Sequence, residues 1–165
     1  MPDDLLQTLT KYRAWADRLT YAALSRVPEH ELTKARPTTF GTIAHTLHHI
    51  QIVDEIFQAH LEGRTHGHVK RTQDSVPRIS TLEERATELS AWWIELPKRL
   101  PANRLSEPIE FRFVSGKEGR MTAAEIIQHV VTHATYHRGY VDDMMYQIPI
   151  EPPVTDLSVF LSRPD

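Results

Sequence analysis

The 165-residue chain contains no cysteine, and that one absence removes disulfides and thiolate metal ligands together. Any metal must then be held by imidazole nitrogen, carboxylate oxygen or water. Basic charge is not in excess: 19 Lys and Arg stand against 22 Asp and Glu, a formal net charge of −3. Phosphate binding needs a basic face, so no nucleic-acid partner is expected. No stretch approaches the roughly 20 apolar residues of a membrane span, so no membrane partner is expected either. The opening "MPDDLLQTLTKYRAWADRL" has early acidic residues and lacks the apolar centre of a signal peptide. The expectation is a soluble, cytoplasmic protein. Histidine, by contrast, is abundant. There are ten, clustered mainly at 45–68 and 129–137.

At 40% hydrophobic and 25% charged residues, the composition is that of a globular chain with a real core. A single domain over residues 1–165 is expected. Four long helical patterns stand out. The first runs from Asp3 to Arg26, with Leu6, Leu9, Tyr12, Ala16, Leu19 and Ala23 on one stripe, and Pro28 closes it. The second runs from Phe40 to Glu62 on Ile43, Leu47, Ile50, Val53, Phe57 and Leu61, with Gly63 as its stop. Residues 64–79 lack periodicity and read as a surface loop; its basic "HVKRT" reads as a solvated segment. The third helix is expected to start at Ser80 or Thr81, where Thr81 and Glu84 fit a capping box, and Pro97 should kink or end it. "EPIEFRFVSGKEGRMT" alternates apolar and polar residues around a Gly-containing turn and predicts a small β-hairpin. Thr122 and Glu125 form a second capping box, opening a helix from Ala123 to about Gln147 that Pro149 prevents from continuing. The tail carries a short apolar turn expected to dock on the body. The fold class is therefore all-α, a four-helix bundle with a small β-hairpin before the last long helix.

"HVVTHATYHRGY" places His129, His133 and His137 four residues apart. A helical residue advances about 100°, so His133 and His137 share one face a turn apart and can converge on one ion. His129 lies another turn back, and two turns span about 11 Å, too far for one ion to take all three. A further ligand must come from a facing helix. "HTLHHI" on the second helix offers His45 and His49 on one face, while His48 points about 100° away. Geometry leaves both His45 and His49 open. A lone histidine on an apolar face is more often a hydrogen-bonded core residue than a ligand. Two such pairs on two helices make a metal site a serious alternative. Asp54, about 140° around the helix from His49, is expected to serve a polar group of another helix. Asp17 and Arg138 read as structural, and Trp15, Trp92 and Trp93 as core or interface residues.

"YRAWADRL", "FGTIAHTLHHIQIVDEIFQAHLEG" and "HVVTHATYHRGY" resemble, in order and spacing, the signature stretches of the DinB-like (damage-inducible protein B) metalloenzyme family. The resemblance covers nearly the whole chain and implies a bundle of that family's type. It also implies that the metal ligands are His49, His133 and His137, selecting His49 over His45. It further implies a divalent transition metal, nickel or zinc, and a homodimer. His129 then belongs to the pocket wall or supports the ligands. Thr132 stands where the family usually has Asn, and Tyr140 where Gln commonly follows "HRG"; neither is a ligand, so these departures bear on substrate choice.

Three neutral imidazoles leave coordination positions open, which suits an enzyme that acts on a small-molecule substrate. The resemblance extends to thiol transferases, implying a low-molecular-weight thiol as substrate, and the chain has no evident nucleophile of its own. The competing reading is a non-catalytic stress-response protein whose metal pins the second helix to the fourth.

Overall fold

The computed structural model describes residues 2–163. Four helices of about 20 residues carry most of the chain: α1 (Pro2–Leu24), α3 (Ile43–Leu61), α4 (Ile79–Arg99) and α6 (Ala123–Met145). Three short helices, α2 (Glu29–Leu32), α5 (Ala102–Ser106) and α7 (Leu157–Leu161), fill the connections. Each long helix packs mainly on two others, giving the circuit α1–α4–α3–α6 and back to α1. That is a four-helix bundle, as the four stripes predict. No helix among the described residues is long and apolar enough to cross a membrane.

The ends of the helices follow their local chemistry. Thr122 caps α6: its hydroxyl accepts from the Glu125 backbone N–H, and the Glu125 carboxylate accepts from that of Thr122. The predicted box is thus formed. α3 ends in a Schellman motif, with Gly63 at φ 64° and the N–H of Arg64 donating to the Ala59 carbonyl at 3.0 Å; glycine enters that left-handed conformation at little cost. Two starts differ from the sequence reading. α3 begins at Ile43, not Phe40, because the Thr42 side chain accepts from His45 N–H and caps it there. α4 begins at Ile79, so Thr81 and Glu84 lie inside it and form no capping box. Val76 and Ile79 pack against the core, and their burial carries the start upstream. Pro97 lies in the last turn of α4, which runs two residues past it.

The hairpin forms where expected. β1 (Pro108–Arg112) and β2 (Glu118–Thr122) are antiparallel, with Phe111 opposite Gly119. A Cβ at Gly119 would meet the Phe111 and Phe113 rings at 2.6–2.8 Å, so glycine lets those rings lie across the strand. In the tail, Phe160 of α7 packs on Tyr12 and Trp15 of α1. Trp93 is buried in the core, and Trp92 packs against that core from its edge.

The core has two main clusters. One gathers Leu24, Ile43, Leu47, Leu82, Val141 and Met144. The other gathers Val53, Phe57, Leu89, Trp93, Ile127 and Val130. On α3 the first reaches Ile50 and the second starts at Val53; on α6 the seam falls between Val130 and Ala134. The histidines lie at that seam.

Candidate metal centre

α3 and α6 face each other, and their histidines meet between them. His49, His133 and His137 each offer a ring nitrogen, and the three nitrogens lie within 4.8 Å of one another. The Nε2 atoms of His49 and His133 are 3.1 Å apart. Two bonds of about 2.0–2.1 Å at a tetrahedral angle place their nitrogens about 3.3 Å apart, so the spacing fits a shared ion.

The tautomer of His49 follows from its surroundings. Its Nδ1–H donates to the Arg71 backbone carbonyl at 2.7 Å. The proton on Nδ1 leaves the Nε2 lone pair facing His133, the arrangement in which metal-ligating histidines are usually held. Phe40 stacks on the His49 ring at 4.1 Å between centroids and meets His137 edge-on at 5.2 Å, shielding both. Tyr140 also lies near His137, with ring centroids 6.0 Å apart.

Nδ1 of His133 and of His137 is buried without a hydrogen-bond partner. His48, His60 and His66 also carry an unengaged buried ring nitrogen, so it is the spacing of the three that sets this cluster apart. A cluster of imidazoles short of protein partners, with nitrogens at ligand spacing, is a donor set that fits a divalent cation. The electrostatics point the same way. Burial, then the neighbouring histidines, push His133 down to about 2. Burial and His49 push His137 down to about 4. Burial also lowers His49, against its hydrogen bond to Arg71. All three are therefore neutral at physiological pH, the form that ligates.

The other candidates separate. His45 Nδ1 lies 2.8 Å from the Thr42 hydroxyl at the N-cap of α3, and His45 is not part of the cluster. His48 is likewise outside it. His129 sits against Phe57 and His133 and lines an adjoining pocket, as a wall residue. Asp54 is fully buried and pairs with Arg13 of α1, bearing out its reading as a partner for another helix. Burial works against the Arg13 charge, but the Asp54 and Asp17 carboxylates outweigh it and raise its pKa. Arg138 of α6 bonds to Asp17 at 3.1 Å and to the Tyr12 hydroxyl at 3.1 Å.

Sequence reasoning did not find Arg71 or Phe40 at the site. Arg71 falls in the segment read as solvated loop, and its side chain is exposed, yet its carbonyl orients a candidate ligand. Phe40 is expected from the sequence to open the second helix, but it precedes α3 and stacks on His49.

Comparison with known proteins agrees with this architecture. Residues 1–163 match the model of the DinB family. The chain is 24% identical over 164 residues to Protein DinB of Bacillus subtilis (strain 168), covering 96% of this chain and 94% of that protein. A DinB-like protein from Bacillus cereus ATCC 10987, known from its crystal structure, superposes with a TM-score of 0.67 at 17% identity, covering 87% of this chain and 91% of that one. At that identity the likeness speaks for the fold.

Proposed function

Since the chain belongs to the DinB family, we propose that His49, His133 and His137 hold one divalent transition-metal ion, nickel or zinc, in an open site that serves a metal-dependent enzyme. The observation carrying this reading is the convergence of three neutral imidazoles, with His133 also lining a pocket of about 240 Å³. A structural metal site is normally closed by four protein ligands. Here the group of candidate ligands contains three residues and borders a cavity.

When bound, such an ion supplies Lewis acidity that favours the ionised form of a thiol or water brought to it. The chain's own residues do the rest. The Arg71 carbonyl holds the His49 ring in register, while Phe40 limits access of bulk water to His49 and His137. The pocket beside His133 admits a small molecule. The reaction proposed is transfer onto or from a low-molecular-weight thiol, with no side chain of this protein as nucleophile.

Elemental analysis after purification and dialysis tests the site. Metal should be near one ion per chain in the native protein and fall sharply in His49→Ala, His133→Ala and His137→Ala, but little in His48→Ala. Equal retention in all four variants would refute the ligand set. The open site is tested with the cobalt-substituted protein: cysteine should add thiolate charge-transfer bands. A spectrum indifferent to every thiol and anion would show a closed, structural ion instead.

A homodimer is proposed as well, through the groove between α1 and α4. Trp15, Ala14, Ala91 and Ile94 line it and offer apolar surface to a second copy. Light scattering at micromolar concentration should give twice the chain mass.

A further inference from the structure

The pocket beside the triad has a composition of its own. Val53, Ile56 and Phe57 of α3 give it an apolar wall, and Phe113 and Val114 of the hairpin turn add to it. His60 and His129 also line it, as does Arg71 of the loop, whose charge lies close enough to His49 and His137 to act on both. Among the described residues, no carboxylate lines it. At about 240 Å³ it lies below the roughly 300–1,000 Å³ typical of ligand pockets, so its occupant is compact.

Two features show that the polar side of this pocket is short of partners. Among the described residues Arg71 engages only through its backbone carbonyl, which His49 holds, and its guanidinium pairs with no carboxylate. His60 Nε2 is buried with no hydrogen-bond partner, although the ring stacks on Phe111 at 4.8 Å. A fixed backbone at Arg71 presents an uncompensated cation beside an apolar cavity, and arginine is the residue suited to grip a planar carboxylate through two parallel hydrogen bonds.

We propose that this pocket binds a small carboxylate with a compact apolar body, its carboxylate on Arg71 and its body against Val53, Ile56, Phe57 and Phe113. The reading of the triad as a metal centre underlies the identification of this molecule as a substrate, since the pocket opens onto His133. Its binding, however, draws on Arg71 and the apolar wall, neither of which is a ligand. His60 offers the bound molecule a buried Nε2 that has no partner among the described residues.

The probes are phenylacetate and its uncharged isostere phenylacetamide, titrated by calorimetry into the full-length protein both metal-free and metal-loaded. Methyl NMR of Val53 and Ile56 maps the site. Phenylacetate should bind in both forms, shift both methyl groups, and exceed phenylacetamide by about tenfold. Arg71→Gln keeps the backbone carbonyl that holds His49 and should erase that preference, while Arg71→Lys should restore part of it. Phe113→Ala removes a half-exposed ring and should weaken both probes alike. Binding that disappears in the metal-free protein and ignores Arg71→Gln would place the carboxylate on the ion and overturn the proposal. So would equal affinity for the two probes, or unmoved Val53 and Ile56 methyl groups. Metal analysis of the His variants fails or succeeds separately from these outcomes, so the two readings are distinguishable.

Discussion

At the scale of single residues, the site is governed by which nitrogen of each ring carries a proton. His49 has its tautomer set by a loop carbonyl, and no periodicity in the sequence encodes that contact. The approach of the Arg71 backbone depends on the path of an aperiodic segment, so a side-chain reading of "HVKRT" could only see a solvated loop. The ligand face on α6, by contrast, follows from spacing alone, since His133 and His137 are one turn apart by construction. Burial then sets the pH response. His137 is pushed down to about 4 and His133 to about 2, whereas the unfolded chain takes up protons near the reference value of about 6.5. A depressed folded pKa means that the unfolded state binds protons first as pH falls. The unfolding free energy of the metal-free protein should therefore be unaffected by these groups above pH 6.5. It should decline from about 6.5 downward, through the His137 value near 4. Urea unfolding at a series of pH values reads this directly, and His133→Gln should flatten the slope. The ion competes with the same protons, so metal retention should fall over the acid limb and never on the alkaline side.

At the scale of elements, the two Thr-x-x-Glu sequences make a matched pair. Thr122 caps α6 with both hydrogen bonds of the box in place, while Thr81 lies inside α4. Thr122→Ala should cost about 1 kcal/mol, and the exposed Thr81→Ala should stay within about 0.5 kcal/mol. Denaturant midpoints of the two variants, compared at equal slope, check this; equal losses would contradict the placement of the α4 start. The same pair explains what a sequence discloses about a bundle. The stripes on α1, α3, α4 and α6 are repeated many times over, so each helix is specified redundantly. A helix start rests on a few side chains, and the burial of Val76 and Ile79 outweighs a capping motif two residues downstream. The short helices α2 and α5 are one turn long and carry no periodicity to detect. The hairpin was legible because alternation and a glycine turn coincide there, but its role as part of the pocket wall appears only once Phe113 and Val114 are seen beside His129.

At the scale of the molecule, two apolar clusters are tied across their seam by a buried charged network. Arg13 of α1 pairs with Asp54 of α3, and Asp17 of α1 with Arg138 of α6. Tyr12 accepts from Arg138 and donates to the Thr155 carbonyl, which draws the tail into the same network. The chain order makes this connection useful: α1 and α3 are consecutive long helices but sit diagonally in the circuit, so Arg13–Asp54 crosses the bundle's interior. Such a pair adds little over a well-packed apolar contact, but breaking it is costly, because one charge remains buried without compensation. Arg13 is 3% exposed and Asp54 is fully buried, so water cannot solvate what is left. Asp54→Ala should lose about 3–5 kcal/mol, a large share of the roughly 5–15 kcal/mol that holds a domain of this size. Because α1 and α3 each run through both clusters, the loss should appear in one cooperative transition. Far-ultraviolet circular dichroism and the fluorescence of buried Trp93 should report the same lowered midpoint in urea. The exposed pair Glu95–Lys98 of α4 is the control, since Glu95→Ala should change stability by less than about 1 kcal/mol. A split transition in Asp54→Ala, with Trp93 unfolding at its native midpoint, would show instead that the two clusters stand independently.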